Sequence, residues 1–362
     1  MDKGLVEVWL GGSLVGRIAL TYDGLCAFEY DAKFLERGFS ISPYALPLEK
    51  KVFVAERDPF DGTFGVFDDS LPDGWGSLLL DRFLKEQGKD LSKLTILDRL
   101  SLIGSNGRGA LEYRPDNSFI ADSHFKDFDK ISSECKKILE EKKIDVHSIE
   151  ELYKNGGSSG GARPKVFAKI DDKEWLVKFR SSFDPKDIGE IEYKYSLLAK
   201  KCQIEMPETR LINGKYFAVE RFDRTPNGRV HTISTSGLLN AYYRLPSLDY
   251  TDLLTVCKDL TKDQSQVVQL FRRMVFNVLI GNKDDHSKNF AFQYKNGAWR
   301  LSPAYDMLPS AGFNGMHTTS VNGKGNPSMG DIVEVARQVS ISKKLAKNIY
   351  DEMEAILSAN NK

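Results

Sequence analysis

Apolar and polar residues alternate at the start of the chain. Leu5-Val6-Glu7-Val8-Trp9-Leu10, then Gly11-Gly12, then the run from Leu14 to Leu20 predict two strands joined by a tight glycine turn. Farther along the period lengthens. The turn Phe67-Asp68-Asp69-Ser70-Leu71-Pro72-Asp73-Gly74-Trp75 leads into Leu78, Leu79, Leu80 and Phe83, the spacing of a helix entered from an Asp/Pro/Gly turn. Residues 1–115 therefore read as a small α/β subdomain. From Phe125 to Tyr153 the chain is charged and helix-favouring, with Ile131, Cys135, Ile138 and Leu139 on one face. This stretch predicts a linker helix whose lysines and glutamates form a solvated surface.

A second hairpin is predicted from Val166 to Ile170, a turn at Asp171-Asp172, and Trp175 to Phe179. The period of two puts Trp175, Val177 and Phe179 on one face and Leu176 and Lys178 on the other, so one lysine faces the side of the glycine-rich stretch that precedes the hairpin. A helix follows over Asp187 to Lys200, with Glu190 and Glu192 in its first turns. Thr261-Lys262-Asp263-Gln264 matches a capping box ahead of the stripe Val267, Leu270, Phe271, Met274 and Val278, which stops at Gly281-Asn282. A last helix, Ile341 to Ile356, carries Leu345, Ile349 and Met353 on one side, and the chain from Ser236 onward reads as mostly helical.

At 362 residues the chain suits two lobes better than one core. Lys+Arg and Asp+Glu both total 51, which excludes the global basic field of a nucleic-acid or anionic-membrane binder. Cys26, Cys135, Cys202 and Cys257 form no CxxC pair, so neither a zinc ribbon nor a disulfide framework is expected. Glu7 and Gly11-Gly12 interrupt the opening residues, no apolar run reaches spanning length, and a cytoplasmic protein without a membrane partner is expected.

The chemistry-bearing residues come in a defined order. Asn155-Gly156-Gly157-Ser158-Ser159-Gly160-Gly161-Ala162-Arg163-Pro164-Lys165 is glycine-rich but no Walker A motif, because Ala162 stands where that motif needs lysine. Lys178 follows on a strand, and Glu190 or Glu192 on a helix. In Gly281-Asn282-Lys283-Asp284-Asp285-His286-Ser287-Lys288-Asn289-Phe290, polar side chains crowd between apolar segments, which is costly unless they bind a ligand or one another. Asp284 and Asn289 have the spacing of the base and the metal-binding amide in a kinase catalytic loop. Trp299 to Pro309 reads as a short strand ending in Asp306, the place for a metal carboxylate, and one carboxylate plus one amide oxygen suits Mg²⁺ beside ATP phosphates. Asp284, Asp285 and His286 could instead be a metal cluster or a helix-capping turn.

The segments Ser158 to Lys165, Val219-Glu220-Arg221-Phe222-Asp223-Arg224, Gly281 to Phe290 and Pro303-Ala304-Tyr305-Asp306 resemble the signature blocks of HipA-family kinases, and Leu71-Pro72-Asp73-Gly74-Trp75 resembles that family's extra subdomain. The resemblance implies an α+β, bilobal protein-kinase-like fold: an amino-terminal subdomain (1–115), a linker helix and kinase N-lobe (116–235) and a helical C-lobe (236–362). It implies a serine/threonine protein kinase toxin that uses ATP and Mg²⁺, is held by a HipB-like helix-turn-helix antitoxin that binds operator DNA, and phosphorylates an aminoacyl-tRNA synthetase. A silent nucleotide-binding partner of a repressor and a small-molecule or lipid kinase are the alternatives.

Carried over residue by residue, the resemblance makes Asp284 the general base and gives Asn289 and Asp306 to the metal. Lys178 contacts the α/β phosphates, positioned by Glu192 or Glu190. Gly160, Gly161, Ala162, Arg163 and Lys165 cover the phosphates. Glu220, Arg221 and Phe222 read adenine, while His286, Lys288 and Tyr305 flank the nucleotide. Ser158 is the autophosphorylation position, with Ser159 beside it.

Overall fold

The computed structural model describes residues 4–118, 127–142, 144–156, 160–312 and 314–360. Ser158 and Ser159 lie outside these residues. The chain forms a mixed α/β structure of two compact units, one of Met1–Glu190 with Thr209–His231, the other of Ile191–Glu208 with Thr232–Lys362.

Among the described residues the first unit holds two larger antiparallel sheets and a two-stranded one, Arg224–Thr225 with Gly228–Arg229. One of the larger two has the strand order Val52–Val54, Cys26–Tyr30, Ser13–Leu20, Leu5–Leu10, Leu111–Arg114, and it opens with the hairpin read from the sequence. The other has the order Lys165–Ile170, Lys173–Lys178, Tyr216–Glu220, Thr209–Ile212. Its first hairpin turns on Asp171 (φ 50°) and Asp172 (φ 60°), two successive left-handed residues as a two-residue turn of matching twist requires. That turn fixes the register, so Val166 pairs with Val177, Phe167 with Leu176, and Lys165 with Lys178.

The faces of this second sheet differ in kind. Val166, Ala168, Trp175, Val177 and Ala218 are buried on one face against Trp75, Leu79 and Phe83 of the Gly74–Glu86 helix and Ile131, Cys135 and Ile138 of the Phe128–Leu139 helix. The charged stretch expected as one linker helix is thus two helices, Phe128–Leu139 and Val146–Gly156, that supply core to the sheet; only their outer faces are solvated. A break at Glu141, with φ 53°, separates them without any glycine or proline to announce it.

A buried ionic node joins the first sheet's final loop to the second sheet. The Gly109 N–H donates to Asp223 at 2.8 Å, Arg224 donates to the Gly107 and Gly109 carbonyls at 2.9 and 2.8 Å, and Arg221 donates to Asp223 at 2.8 and 3.0 Å. Burial alone would raise the Asp223 pKa, but Arg221, Arg224 and the Gly109 amide reverse that and hold it well below the ordinary carboxylate range.

In the second unit, His231–Ser234, Ala291–Lys295 and Ala298–Leu301 form a sheet, so the region expected to be mostly helical also contains a hairpin. The helix Gln264–Ile280 buries Val267, Leu270, Phe271 and Met274 and stops at Gly281, whose φ of 70° suits glycine. Its cap is Asp263, which accepts the Ser265 N–H at 2.9 Å; Thr261 ends the preceding Tyr250–Thr261 helix, so the expected capping box is not formed. The Lys343–Asn360 helix buries Ile349 and Met353 together with Ala346, while Leu345 is exposed. All four cysteines are free and buried. Among the described residues no helix is long and apolar enough to cross a membrane.

The Asp223 node has a pH signature. Its folded-state pKa is depressed, so its contribution is complete above the unfolded value of about 3.9 and is lost as pH falls toward the folded one. Urea titrations are expected to show stability that is insensitive to this group from pH 8 to 5 and declines below about pH 4. Asp223→Asn is expected to remove that part of the decline and cost about 3–5 kcal/mol at neutral pH, since it leaves Arg221 and Arg224 buried without their anion.

Candidate active site

In the first unit, the face of the second sheet opposite its helices carries a graded row of side chains. Lys165 and Lys178 lie directly opposite each other at one end, both buried (6% and 8% exposed). The next row is Phe167, Leu176 and Val219, in register across three strands. Two like charges side by side repel, and their burial is favourable only with an anion or strong acceptors at hand. Lys165 donates to the Gly160 carbonyl, and the Lys178 ammonium stands 5.6 Å from the centre of the Phe217 ring.

This face suits a molecule with a flat apolar end and a polyanionic end. Glu220 pairs with Trp175, three residues from Lys178, so the Glu220–Phe222 segment begins roughly 10 Å along the strand from the lysine pair. The Arg221 N–H is committed to the Glu174 carbonyl at 2.8 Å and its guanidinium to Asp223, while Glu220 pairs with Lys173 at 2.9 Å. Arg163 is anchored too: its guanidinium contacts Asp184 at 3.0 Å. Burial opposes ionisation of Asp184, but its bonds to Ser181 and Arg163 keep its pKa below the ordinary value. Gly161 and Ala162 are exposed.

The second unit gathers the other predicted residues. Asn289, Tyr305 and Asp306 line one small recess with Arg273, Asn277, Asn282 and Phe290. Asn289 Nδ2 donates to the Asp284 carbonyl at 2.7 Å, which leaves Oδ1, the atom an amide offers to a cation, outside that bond. Tyr305 Oη donates to the Lys288 carbonyl at 2.8 Å, tying the two segments of the recess together. Asp306 has a φ of 53°, a left-handed backbone that aspartate tolerates better than most residues, and its carbonyl accepts from Asn282 Nδ2 at 3.1 Å. Asp284 is exposed and Asp285 fully buried, so adjacent carboxylates have opposite environments. Lys288 Nζ lies 4.3 Å from the centre of the Tyr243 ring, and His286 packs on the same ring at 5.7 Å. Glu192 is buried and Glu190 exposed.

Asp285 organises this loop. It accepts from Tyr250 Oη at 2.9 Å, bonds His317 Nδ1 at 2.8 Å, and takes the Thr318 and Thr319 N–H groups at 2.9 and 3.3 Å. Tyr250 Oη accepts from Asn277, Asn277 accepts from Asn282, and Asn282 reaches Asp306. Burial and the neighbouring Asp285 push the Tyr250 pKa well above its ordinary value, so its hydroxyl remains a donor. Arg273, buried behind the recess, donates to the Ser302 carbonyl; burial lowers its pKa to about 10, which leaves it charged at neutral pH.

Sequence reasoning did not single out Tyr250, His317, Asn277 or the Phe167–Leu176–Val219 row. Part of the row had a signal, since the two-residue Asp-Asp turn dictates the pairing of Phe167 with Leu176. The Tyr250 and His317 contacts had none, because their partner lies more than thirty residues away in either direction.

Oxygen donors fit a hard cation here. Asp306 and Asn289, which carry one carboxylate and one amide oxygen, line the same recess, and among the described residues there is no cluster of three or more His, Cys, Asp or Glu that would make a closed protein cage. That donor set suits Mg²⁺, which usually completes its shell with phosphate oxygens and water.

The Asp285 network makes a graded prediction for chemical denaturation. Asp285→Ala strands buried donors and is expected to cost about 3–5 kcal/mol, whereas Tyr250→Phe deletes one hydroxyl and is expected to cost about 1–2 kcal/mol.

Two family models match the chain: the HipA N-terminal domain over residues 6–114 and the HipA-like C-terminal domain over residues 157–360. The structure is similar to a chain of the "Shewanella oneidensis MR-1 Toxin Antitoxin System HipA, HipB and its operator DNA complex", with a TM-score of 0.71, 18% identity, and coverage of 98% of this chain and 90% of that one. In sequence the chain is 26% identical over 238 residues to "Putative kinase Y4dM" of Sinorhizobium fredii (58% of this chain, 57% of that protein). It is 27% identical over 169 residues to "Toxin YjjJ" of Escherichia coli (42% and 38%). The matches thus span between about two fifths and a little over half of these curated relatives' length. With both domains matched in order and the C-terminal match alone covering more than half of its residues, the chain belongs to the HipA family.

Proposed function

We propose that this chain is an ATP- and Mg²⁺-dependent serine/threonine protein kinase of toxin type. The observation that carries the reading is the recess shared by Asn289 and Asp306, with Asn289 tied back to Asp284. Asp284, exposed at the loop surface, accepts the proton of the substrate hydroxyl. Asn289 Oδ1 and the Asp306 carboxylate hold Mg²⁺, which when bound neutralises charge on the transferring phosphoryl group. Lys178 and Lys165 counter the remaining phosphate charge, the amides of Gly160 to Lys165 add donors, and Phe167, Leu176 and Val219 offer the adenine an apolar floor. The adenine edge is read by backbone groups of Glu220 and Phe222, because the Arg221 N–H is engaged elsewhere. Phosphoryl transfer depends chiefly on positioning and charge neutralisation, and these residues supply both.

The likeness to HipA-family proteins supports the partner classes proposed. The solved relative is a complex with HipB and operator DNA, and a HipB-like antitoxin that itself contacts DNA is the partner proposed here. The substrate class proposed is a translation protein such as an aminoacyl-tRNA synthetase. Self-modification falls on Ser158, where a phosphate adds about −1.5 to −2 charges to the glycine-rich loop.

Incubation with γ-labelled ATP and Mg²⁺, alone and with cell extract, tests the reading. The wild type is expected to label itself and at least one extract protein; Asp284→Asn should lower both rates by about 10²–10⁴-fold, and Ser158→Ala should abolish labelling of the loop. Label in small molecules alone would make it a small-molecule kinase. Nucleotide binding without transfer would make it a silent partner.

A further inference from the structure

Asp73 stands at the cap position of the Gly74–Glu86 helix with an extended backbone (φ −122°, ψ 172°), yet its side chain makes no capping bond to that helix. An aspartate there ordinarily accepts an N–H from the second or third helical residue. Here its Oδ1 accepts the N–H of Gly161, in the glycine-rich loop. The exchange is reciprocal: the Trp75 N–H, one of the donors that a helix start leaves without an intrahelical partner, donates to the Gly161 carbonyl at 3.0 Å. Trp75 Nε1 donates to the Lys165 carbonyl at 3.2 Å, at the loop's far end. Between these bonds Gly74 has a φ of 38°, and a Cβ there would stand 2.7 Å from the Gly161 oxygen and 2.8 Å from Ala162 Cα, so the contact admits no side chain. Arg108, fixed by its bond to the Asp69 carbonyl at 2.7 Å, lies against Gly160 so closely that a Cβ on that glycine would be 2.4 Å from Nη1.

We propose that Asp73-Gly74-Trp75 is a clasp by which the amino-terminal domain holds residues Gly160 to Lys165 in their phosphate-covering shape, with Asp73 as a positioning residue for nucleotide binding. The proposal rests on the reading of this loop as the phosphate cover. Glycine-rich backbone is costly to order, and ordering it before the ligand arrives spares binding that cost. The helix gives up its own cap to do so, which explains why Asp, Gly and Trp stand in this order at its start.

Two readouts on the full chain separate the clasp from the kinase reading. Without nucleotide, hydrogen exchange in peptides covering Gly160 to Lys165 is expected to accelerate roughly tenfold in Asp73→Ala, the loss of one charge-assisted bond, and to return toward wild type in Asp73→Asn, whose Oδ1 still accepts. Affinity for a non-hydrolysable ATP analogue should weaken by a similar factor in Asp73→Ala and Gly74→Ala and recover in Asp73→Asn. Unchanged exchange in Asp73→Ala would overturn the clasp. So would tighter analogue binding in both Asp73 variants, which would make the carboxylate a competitor for phosphate. Failure of the wild type to bind the analogue would defeat the kinase reading and leave exchange alone to decide the clasp.

Discussion

The candidate site of the second unit depends on one buried carboxylate. Asp285 has no exposure, and a lone anion there would be too costly to keep. Tyr250, His317, Thr318 and Thr319 satisfy it, and each comes from a different part of the fold than the loop itself. Burying Asp285 forces its neighbour Asp284 outward, and the chain of bonds through Tyr250, Asn277 and Asn282 ends on the backbone of Asp306. The same carboxylate therefore sets the exposure of the proposed base and the placement of a proposed metal ligand. Hydrogen-bonded to four groups, it gives the loop rigidity that its polar sequence does not by itself provide.

In the first unit the corresponding constraint is the two-sidedness of a sheet. Three helices cover one face with Trp75, Phe83, Ile131 and Tyr153, so whatever the other face presents stands apart from that core. On it the register set by Asp171-Asp172 puts two buried lysines side by side next to an apolar row. The glycine-rich loop runs into the first of those strands, and the Asp73-Gly74-Trp75 segment meets it from the amino-terminal domain. Asp73, a polar group that could cap its own helix, is spent instead on the Gly161 N–H of a neighbouring segment.

Much of this was legible before the structure. The two hairpins, the Gln264–Ile280 helix and its glycine stop follow from period and turn chemistry; spacing marks Asp284 and Asn289 as candidates, and the place after a short strand marks Asp306. The misread positions have local causes. Thr261 and Asp263 are both good caps, and Lys262 decides between them by taking a left-handed conformation that ends the earlier helix. The break at Glu141 carries no glycine or proline, so two helices looked like one. Leu345 belongs to an apolar stripe by count, but Ala346 is the residue the helix turns inward. For Asp285 the sequence leaves a metal cluster or a capping turn open as alternatives, because pairing it with Tyr250 and His317 requires contacts that only tertiary structure reveals.

In the proposed site Asn289 and Asp306 hold one divalent ion with the nucleotide. Calorimetric titration of a non-hydrolysable ATP analogue, with and without Mg²⁺, tests it most directly in the wild type and in Asp306→Ala. Mg²⁺ is expected to tighten binding to the wild type, and Asp306→Ala to lose this metal dependence. An equal Mg²⁺ effect in both proteins would contradict it.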